Sequence, residues 1–314
     1  MPKLKPHKQI KLNKRIVSDL LKAYDLTVRS FKVFPHGIEN TTLLVKTNQG
    51  NYVLRVYQKN KKIIKNIEQE IAFMEFLSKA KISTPKVFKN IFGSQVSRYK
   101  NSAAVWSYIL MEFARGKHPK SYSQSTIKDL ATIQAKMHQL GSAFAKKLVT
   151  PKRFWKYLRE KAFSPHIKIS TIKNTAVKNF VKRAKKFEAM LPANLPQAYN
   201  HSDITHDNIL VQNNRVTAVF DFDDASFSPS IVCLGSTLWD IWYITKDARN
   251  IFTYLAAYTK QRTLTKLELK TLKDVILFRN FVIGAMEIMF YGENGKGVKP
   301  ILKFEEIING LNFL

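Results

Sequence analysis

Three polar side chains in the second half of the chain have types and spacing that could do chemistry together. The stretch Tyr199-Asn200-His201-Ser202-Asp203-Ile204-Thr205-His206-Asp207-Asn208-Ile209-Leu210 is followed by Val219-Phe220-Asp221-Phe222-Asp223. It sets an Asp, an Asn five residues later and an Asp thirteen after that around a tight hairpin. That set suits phosphoryl transfer from a metal-bound nucleotide. One carboxylate accepts the proton of an attacking hydroxyl, while an amide oxygen and a second carboxylate hold a divalent cation on the phosphates. Asp203 by itself is an ordinary turn or cap residue; as a general base it would contribute about 10²–10⁴-fold in rate. Asn208 opens one apolar strand and Asp221 closes the next. Antiparallel strands joined by a short turn bring those ends together, so both side chains can reach one Mg²⁺.

These groups need a scaffold, and the hydrophobic pattern outlines one. Ile16, Val17, Leu20 and Leu21 recur at helical spacing within residues 14–24. Two strands, Thr41-Thr42-Leu43-Leu44-Val45-Lys46-Thr47 and Tyr52-Val53-Leu54-Arg55-Val56-Tyr57, flank the turn Asn48-Gln49-Gly50-Asn51. Residues 61–80 read as a helix with Ile64, Ile67, Ile71, Met74 and Leu77 on one face, and further strands are expected at 85–88 and 103–113. Residues 127–145, 154–163 and 174–190 carry helical periodicity. A second hairpin turns at Asn213-Asn214, and 234–314 is mostly helical with a loop at 292–297. No repeat or low-complexity segment interrupts this order. The pattern predicts an α+β fold of two lobes. An N-terminal antiparallel sheet with one helix occupies residues 1–113, and a larger, mainly helical lobe with the catalytic and metal loops and the acceptor site occupies 114–314.

Length and composition agree with an ordinary globular protein. The 314 residues are 45% hydrophobic, enough for two lobes with substantial cores. Cys233 is the only cysteine, which excludes an intrachain disulfide and points to a reducing compartment. No apolar run reaches the roughly 20 residues of a membrane span, and the basic residues 1–8 lack the apolar stretch of a secretory signal. A cytoplasmic location follows as the expectation. Lys+Arg 52 against Asp+Glu 23 gives +29. Such a charge suits an anionic partner such as RNA, DNA or a lipid surface. The basic residues are, however, scattered over almost every segment, as a general compositional preference for Lys would leave them, and a nucleic-acid partner is not favoured.

The polar stretch resembles the catalytic and metal loops of the aminoglycoside phosphotransferase and choline kinase-like family. These are small-molecule kinases with a protein kinase-like fold, type II homoserine kinases among them. The family shows His-Gly-Asp, an Asn five residues after the Asp, and an apolar strand into Asp-Phe-Asp; here His201-Ser202-Asp203, Asn208 and Asp221-Phe222-Asp223 occupy those places. The resemblance implies Asp203 as catalytic base, Asn208 and Asp221 as metal ligands, His201 as support for the loop and Asp223 as a further orienting group. It extends through the first half. Gly37-Ile38-Glu39-Asn40 resembles the phosphate-loop region, with Glu39 and Asn40 beside the nucleotide. Arg55 falls where these kinases carry a basic residue for the α/β-phosphates. Glu70 on the following helix is the acid expected to pair with it, Glu68 and Glu75 being the competing choices. Leu110-Met111-Glu112-Phe113-Ala114-Arg115-Gly116 resembles the segment joining the lobes, whose backbone at Glu112 and Phe113 would meet the adenine edge.

Three departures from the family pattern stand out. Ser202 replaces a Gly, Thr205-His206-Asp207 replaces His-Pro-Gly before the Asn, and Cys233-Leu234-Gly235 stands where many members have Asp-Leu-Ala. That missing Asp normally braces the catalytic loop.

The resemblance implies ATP and Mg²⁺ as cofactors, nucleotide bound between the lobes, and a small-molecule hydroxyl acceptor: an amino alcohol, amino acid or sugar-like molecule. Homoserine, choline and aminoglycosides all fit, although the basic chain suits a polycationic aminoglycoside least. Trp155, Trp239, Trp242, Tyr243 and Glu287 are candidates to line an acceptor pocket, or else core residues. The alternative function is a kinase-like binding module for RNA or another polyanion. An aspartyl-phosphate phosphatase starting at Asp221 lacks the alternating strands and helices that should follow it. A transition-metal site from His201, Asp203 and His206 lacks a fourth ligand.

Overall fold

The computed structural model describes residues 10–34, 40–57, 64–101, 105–148, 167–187, 192 and 194–313. The expected phosphate turn at 37–39, the helix at 154–163 with Trp155, and most of the basic tail lie outside these. The chain divides between Arg115 and Gly116 into two compact units.

The first unit is built on strands β1 (Val28–Val33), β2 (Asn40–Thr47), β3 (Asn51–Tyr57), β4 (Ser97–Lys100) and β5 (Val105–Glu112). They form a five-stranded sheet in the order β1-β2-β3-β5-β4, with every neighbouring pair antiparallel. Helix α1 (Lys14–Lys22) begins at Asn13, whose Oδ1 accepts from the Ile16 amide at 2.9 Å. Its apolar stripe of Val17, Leu20 and Leu21 packs with Leu43, Val45, Leu54, Val56, Tyr108 and Leu110 into one core. Side chains alternate along a strand, so when Leu54 and Val56 of β3 join that core, Arg55 and Tyr57 point the other way. There they meet Glu70 of α2 (Ile64–Lys79). The central strand is thus buried on both faces, and one of its buried residues is an arginine.

The second unit contains α3 (Gln124–Ala145), α4 (Thr175–Phe187), α5 (Ser230–Thr245), α6 (Arg249–Thr259), α7 (Lys266–Tyr291) and α8 (Val298–Gly310). Strands β6 (Gln197–Asn200) and β9 (Ser226–Pro229) pair antiparallel, and β7 (Ile209–Gln212) pairs with β8 (Arg215–Val219). Asn213 and Asn214, with φ of 52° and 61°, make the two-residue turn between β7 and β8, as hairpins of this length require. Helix α5 is buried all round from Ser230 to Trp242, and α3, α6 and α7 pack on it. A capping box of Thr265 and Glu268 starts α7. Close contact between α5 and α7 depends on Gly235. A Cβ there would come 2.8 Å from the main-chain carbon of Val275 on α7.

Two expectations about strands change. The stretch 85–88 makes only an isolated bridge, Val87 with Met111, and the added edge strand is β4. The β6–β9 pair was not expected: Gln197-Ala198-Tyr199-Asn200 and Ser226-Phe227-Ser228-Pro229 are too short and polar to read as strands. Pro229 is tolerated because a two-stranded sheet has only edges.

Gly235→Ala tests the helix contact. At an open helical site Ala would stabilise by up to about 1 kcal/mol. Here overpacking predicts a loss of about 1–3 kcal/mol in urea denaturation. A gain in stability would show that α5 and α7 are not in close contact.

Candidate active site

The loop from Asn200 to Asn208 runs along α5, which holds it by alternate residues. The Ser202 backbone lies beside the Cys233 thiol and favours its charged form. The Ile204 carbonyl accepts from Thr237 Oγ1 at 2.9 Å. The His206 amide donates to Asp240 Oδ2 at 2.8 Å, and His206 Nδ1 lies 2.6 Å from Asp240 Oδ1. Positions 233, 237 and 240 lie on one face of that helix. Gln134 of α3 completes the support, donating to Thr237 Oγ1 at 2.8 Å and to the Cys233 carbonyl at 3.3 Å. Cys233 therefore stands where the bracing Asp was expected, beside the Ser202 backbone. Burial pushes its thiol up to about 12, so it stays protonated.

Asp240 was not singled out from the sequence. It is buried and also accepts from the Tyr122 hydroxyl at 2.8 Å. The available signal was one acid inside Leu238-Trp239-Asp240-Ile241-Trp242, an otherwise apolar helical turn. Burial opposes charge on His206, but the Asp240 hydrogen bond and the carboxylates of Asp240, Asp207 and Asp203 outweigh it, and the pKa of His206 is raised.

His201 ties the loop to the following segment. Its Nδ1 accepts from the Asp203 amide at 3.3 Å, which leaves Nε2 to donate to the Phe220 carbonyl at 2.9 Å. Burial lowers the pKa of His201, consistent with this neutral tautomer. The Phe220 amide donates to the Asn208 carbonyl at 3.1 Å, and β7 pairs Ile209 with Val219. Asn208 and Asp221 are thereby brought to the same end of the hairpin. Two residues here have left-handed backbone: Ser202 at φ 72° and Asp221 at φ 64°. Asp tolerates that region better than most residues, while Ser at a position usually held by Gly carries a conformational cost.

Asp203 is partly open, its side chain 28% exposed. Asn208 Nδ2 donates to the Asp203 carbonyl at 2.8 Å and to its Oδ2 at 3.2 Å. The amide nitrogen is thus spent on Asp203, leaving Oδ1 of Asn208, a hard oxygen donor, without a hydrogen-bond partner among the described residues. With the Asp221 carboxylate this suits Mg²⁺, which is commonly held by one or two protein oxygens together with water and phosphates. Among the described residues no cluster of three or more His, Cys, Asp or Glu could hold a metal, which removes the His201–Asp203–His206 site. Asp207 points to solvent, its side chain 76% exposed.

A residue absent from the expectations completes the loop's surroundings. Arg279 of α7 donates from Nη2 to Asp203 Oδ1 at 2.6 Å. Its side chain is 15% exposed, and its buried Nε has no hydrogen-bond partner among the described residues. A buried donor left unmet costs about 1–3 kcal/mol. Trp239 and Trp242 are core residues packed on Phe304, Trp239 also bonding Asn280, and Glu287 accepts from the Gly297 amide. Tyr243 stacks on Trp239.

In the first unit, Arg55 Nη1 lies 3.2 Å from Glu70 Oε1, and Tyr57 donates to Glu70 Oε2 at 3.2 Å. The two charged side chains are 6% and 5% exposed. Glu68 is exposed and Glu75 accepts from Gln95, so Glu70 is the acid facing Arg55. Asn40 begins β2 opposite Tyr57, and Glu39 lies outside the described residues. Glu112 ends β5 with its amide donated to the Lys86 carbonyl at 2.8 Å, and Phe113 follows, partly exposed.

The raised pKa of His206 sets a pH test. Its ion pair with Asp240 stabilises fully below about pH 6.5, the unfolded value, and weakens as pH rises through the raised folded value. Without divalent cation, the unfolding free energy separating wild type from His206→Ala should shrink between pH 6 and 9. A constant difference would rule out the ion pair.

Comparison with known proteins bears on the whole arrangement. The profile of a family described as phosphotransferase enzyme family matches residues 30–269. A homoserine kinase of Bradyrhizobium sp. (strain ORS 278) is 24% identical over 270 residues, covering 82% of this chain and 79% of that protein. One of Nitrobacter hamburgensis is 26% identical over 263 residues, covering 80% and 77%. Among solved structures, a microcompartment-associated aminopropanol kinase superposes with a TM-score of 0.74 at 18% identity, covering 96% of this chain and all of that one. An amicoumacin kinase in complex with AMP-PNP and Ca²⁺ gives 0.71 at 15% identity, covering 95% of each chain. The solved structures share the fold, an antiparallel sheet followed by a mainly helical unit, and the family profile spans most of the sequence. The chain belongs to the phosphotransferase enzyme family.

Proposed function

We propose that this phosphotransferase of small-molecule hydroxyls uses Mg²⁺-ATP, with Asp203 as the base that accepts the acceptor's proton. The observation that carries the reading is the hairpin register that brings Asn208 and Asp221 to one end, with Asn208 Nδ2 bonded to Asp203. The acceptor hydroxyl gives its proton to Asp203, its oxygen bonds to the γ-phosphorus, and the bond from that phosphorus to the bridging oxygen breaks to leave ADP. Mg²⁺ supplies charge neutralisation on the phosphates when bound, and Asn208 and Asp221 are the residues that would hold it. Arg55, fixed by Glu70, serves as the phosphate-contacting cation, and Glu39, Asn40 and the backbone at Phe113 as further nucleotide contacts. Glu112 can offer its carbonyl but not its amide, which Lys86 occupies. Residues 1–113 would act as the nucleotide lobe and 114–314 as the lobe of catalysis and acceptor binding.

Most of the rate comes from positioning, because phosphoryl transfer leaves little covalent work to protein groups. The relatives named homoserine kinase and aminopropanol kinase support a small alcohol as acceptor. No helix among the described residues is long and apolar enough to cross a membrane, and a cytoplasmic setting suits a chain whose one cysteine is a buried thiol.

Asp203→Asn should lower kcat by about 10²–10⁴-fold while calorimetric binding of Mg²⁺-ATP stays intact; full turnover in this variant would remove Asp203 as base. Asp221→Ala should weaken Mg²⁺-dependent nucleotide binding. Its role as a ligand fails if the Mg²⁺ concentration needed for half-maximal binding is unaltered.

A further inference from the structure

Both carboxylate oxygens of Asp203 are already engaged. Oδ2 takes the Asn208 amide at 3.2 Å, and Oδ1 takes the Arg279 guanidinium at 2.6 Å. The first contact belongs to the loop itself. The second comes from a different helix and is not needed to place the loop, which α5 and His201 already hold. Arg279 also has donors to spare. Of the five N–H groups of a guanidinium, one makes a hydrogen bond among the described residues, and the buried Nε makes none. A cation with unmet donors beside the group that receives the hydroxyl proton is placed to meet an anion on the acceptor.

We infer that Arg279 binds a carboxylate of the acceptor, so that the natural substrate is a hydroxy acid or hydroxy amino acid whose hydroxyl is presented to Asp203. This rests on the phosphotransferase reading of the site. The planar fork of the guanidinium fits the two oxygens of a carboxylate. A phosphate-bearing acceptor would bring up to two negative charges beside Asp203 and the incoming γ-phosphate, more than one arginine offsets. A quaternary ammonium or polyamine acceptor would meet a like charge next to the base. When the acceptor binds, the guanidinium shares its donors between the two carboxylates, and one Asp203 oxygen turns to the hydroxyl.

The test is steady-state transfer from Mg²⁺-ATP to L-homoserine and L-serine, to the carboxylate-free 3-amino-1-propanol and choline, and to glycerol 3-phosphate. Wild type should prefer a carboxylate-bearing alcohol. Arg279→Met should lower kcat/KM for that acceptor by about 100-fold, the scale for truncating one partner of a desolvated charge pair, mainly through KM. It should affect 3-amino-1-propanol far less, and Arg279→Lys should recover part of the loss. Thermal melting of each variant checks that it is folded. Equal losses for carboxylate-bearing and carboxylate-free acceptors would make Arg279 a structural partner of Asp203 and overturn the inference. A wild type that prefers choline, 3-amino-1-propanol or glycerol 3-phosphate also overturns it but leaves the phosphotransferase reading standing. Transfer to none of the carboxylate-bearing alcohols removes it as well, and the reading of the site is then judged by whether any other alcohol consumes ATP.

Discussion

The contact of one face of a buried helix with the backbone of the loop at 202–206 underlies the rest of the site. The Cys233 thiol, the Thr237 hydroxyl and the Asp240 carboxylate on α5 meet the backbone at Ser202, Ile204 and His206 in turn. Because α5 is buried on every side, it cannot rotate without disturbing α3, α6 and α7. The loop inherits that rigidity, and Asp203 lies between two of the held residues. A general base gains from such fixing, since a displacement of about 1 Å can cost on the order of 10²-fold in rate. The expected brace was one Asp on the first turn of this helix. The protein instead distributes the task over three turns and places its carboxylate on the last of them, where Tyr122 and His206 share it.

Charge is handled locally, in pairs. The chain carries +29 overall, yet Arg55 is matched to Glu70 and Arg279 to Asp203. The same habit appears away from the site, where the buried Glu268 holds Arg262 and Glu305 holds Arg183. A buried charge without a partner is costly, and breaking such a pair costs several kcal/mol. The pairs therefore fix arginine side chains in defined places. Glu70 carries a further bond from Tyr57, which holds the acid as well as the base in position.

Much of this was legible in the sequence, for physical reasons that differ by residue. Asp203, Asn208 and Asp221 stand out because a hairpin is local: its turn residues Asn213 and Asn214 announce the register, and the register decides which ends meet. Arg55 and Glu70 could be found because strand alternation and helical phase each predict a face, and a charged residue on an apolar face needs a partner. Asp240 and Arg279 were missed although each interrupts an apolar helix, Leu238-Trp239-Asp240-Ile241-Trp242 and Ile276-Leu277-Phe278-Arg279. Their partners lie 34 and 76 residues away, and only the packing of α5 and α7 against the loop identifies them. The β6–β9 pair escaped because its strands are short and polar and owe their pairing to the buried loop ends they join.

A rigidly held carboxylate that directs a phosphoryl group onto an alcohol leaves a phosphate ester as product. Phosphorus NMR follows the protein mixed with Mg²⁺-ATP and a set of alcohols: L-homoserine, L-serine, 3-amino-1-propanol and choline. A phosphate monoester resonance should grow in step with ADP. ADP accompanied only by inorganic phosphate, or ATP left unconsumed, would contradict it.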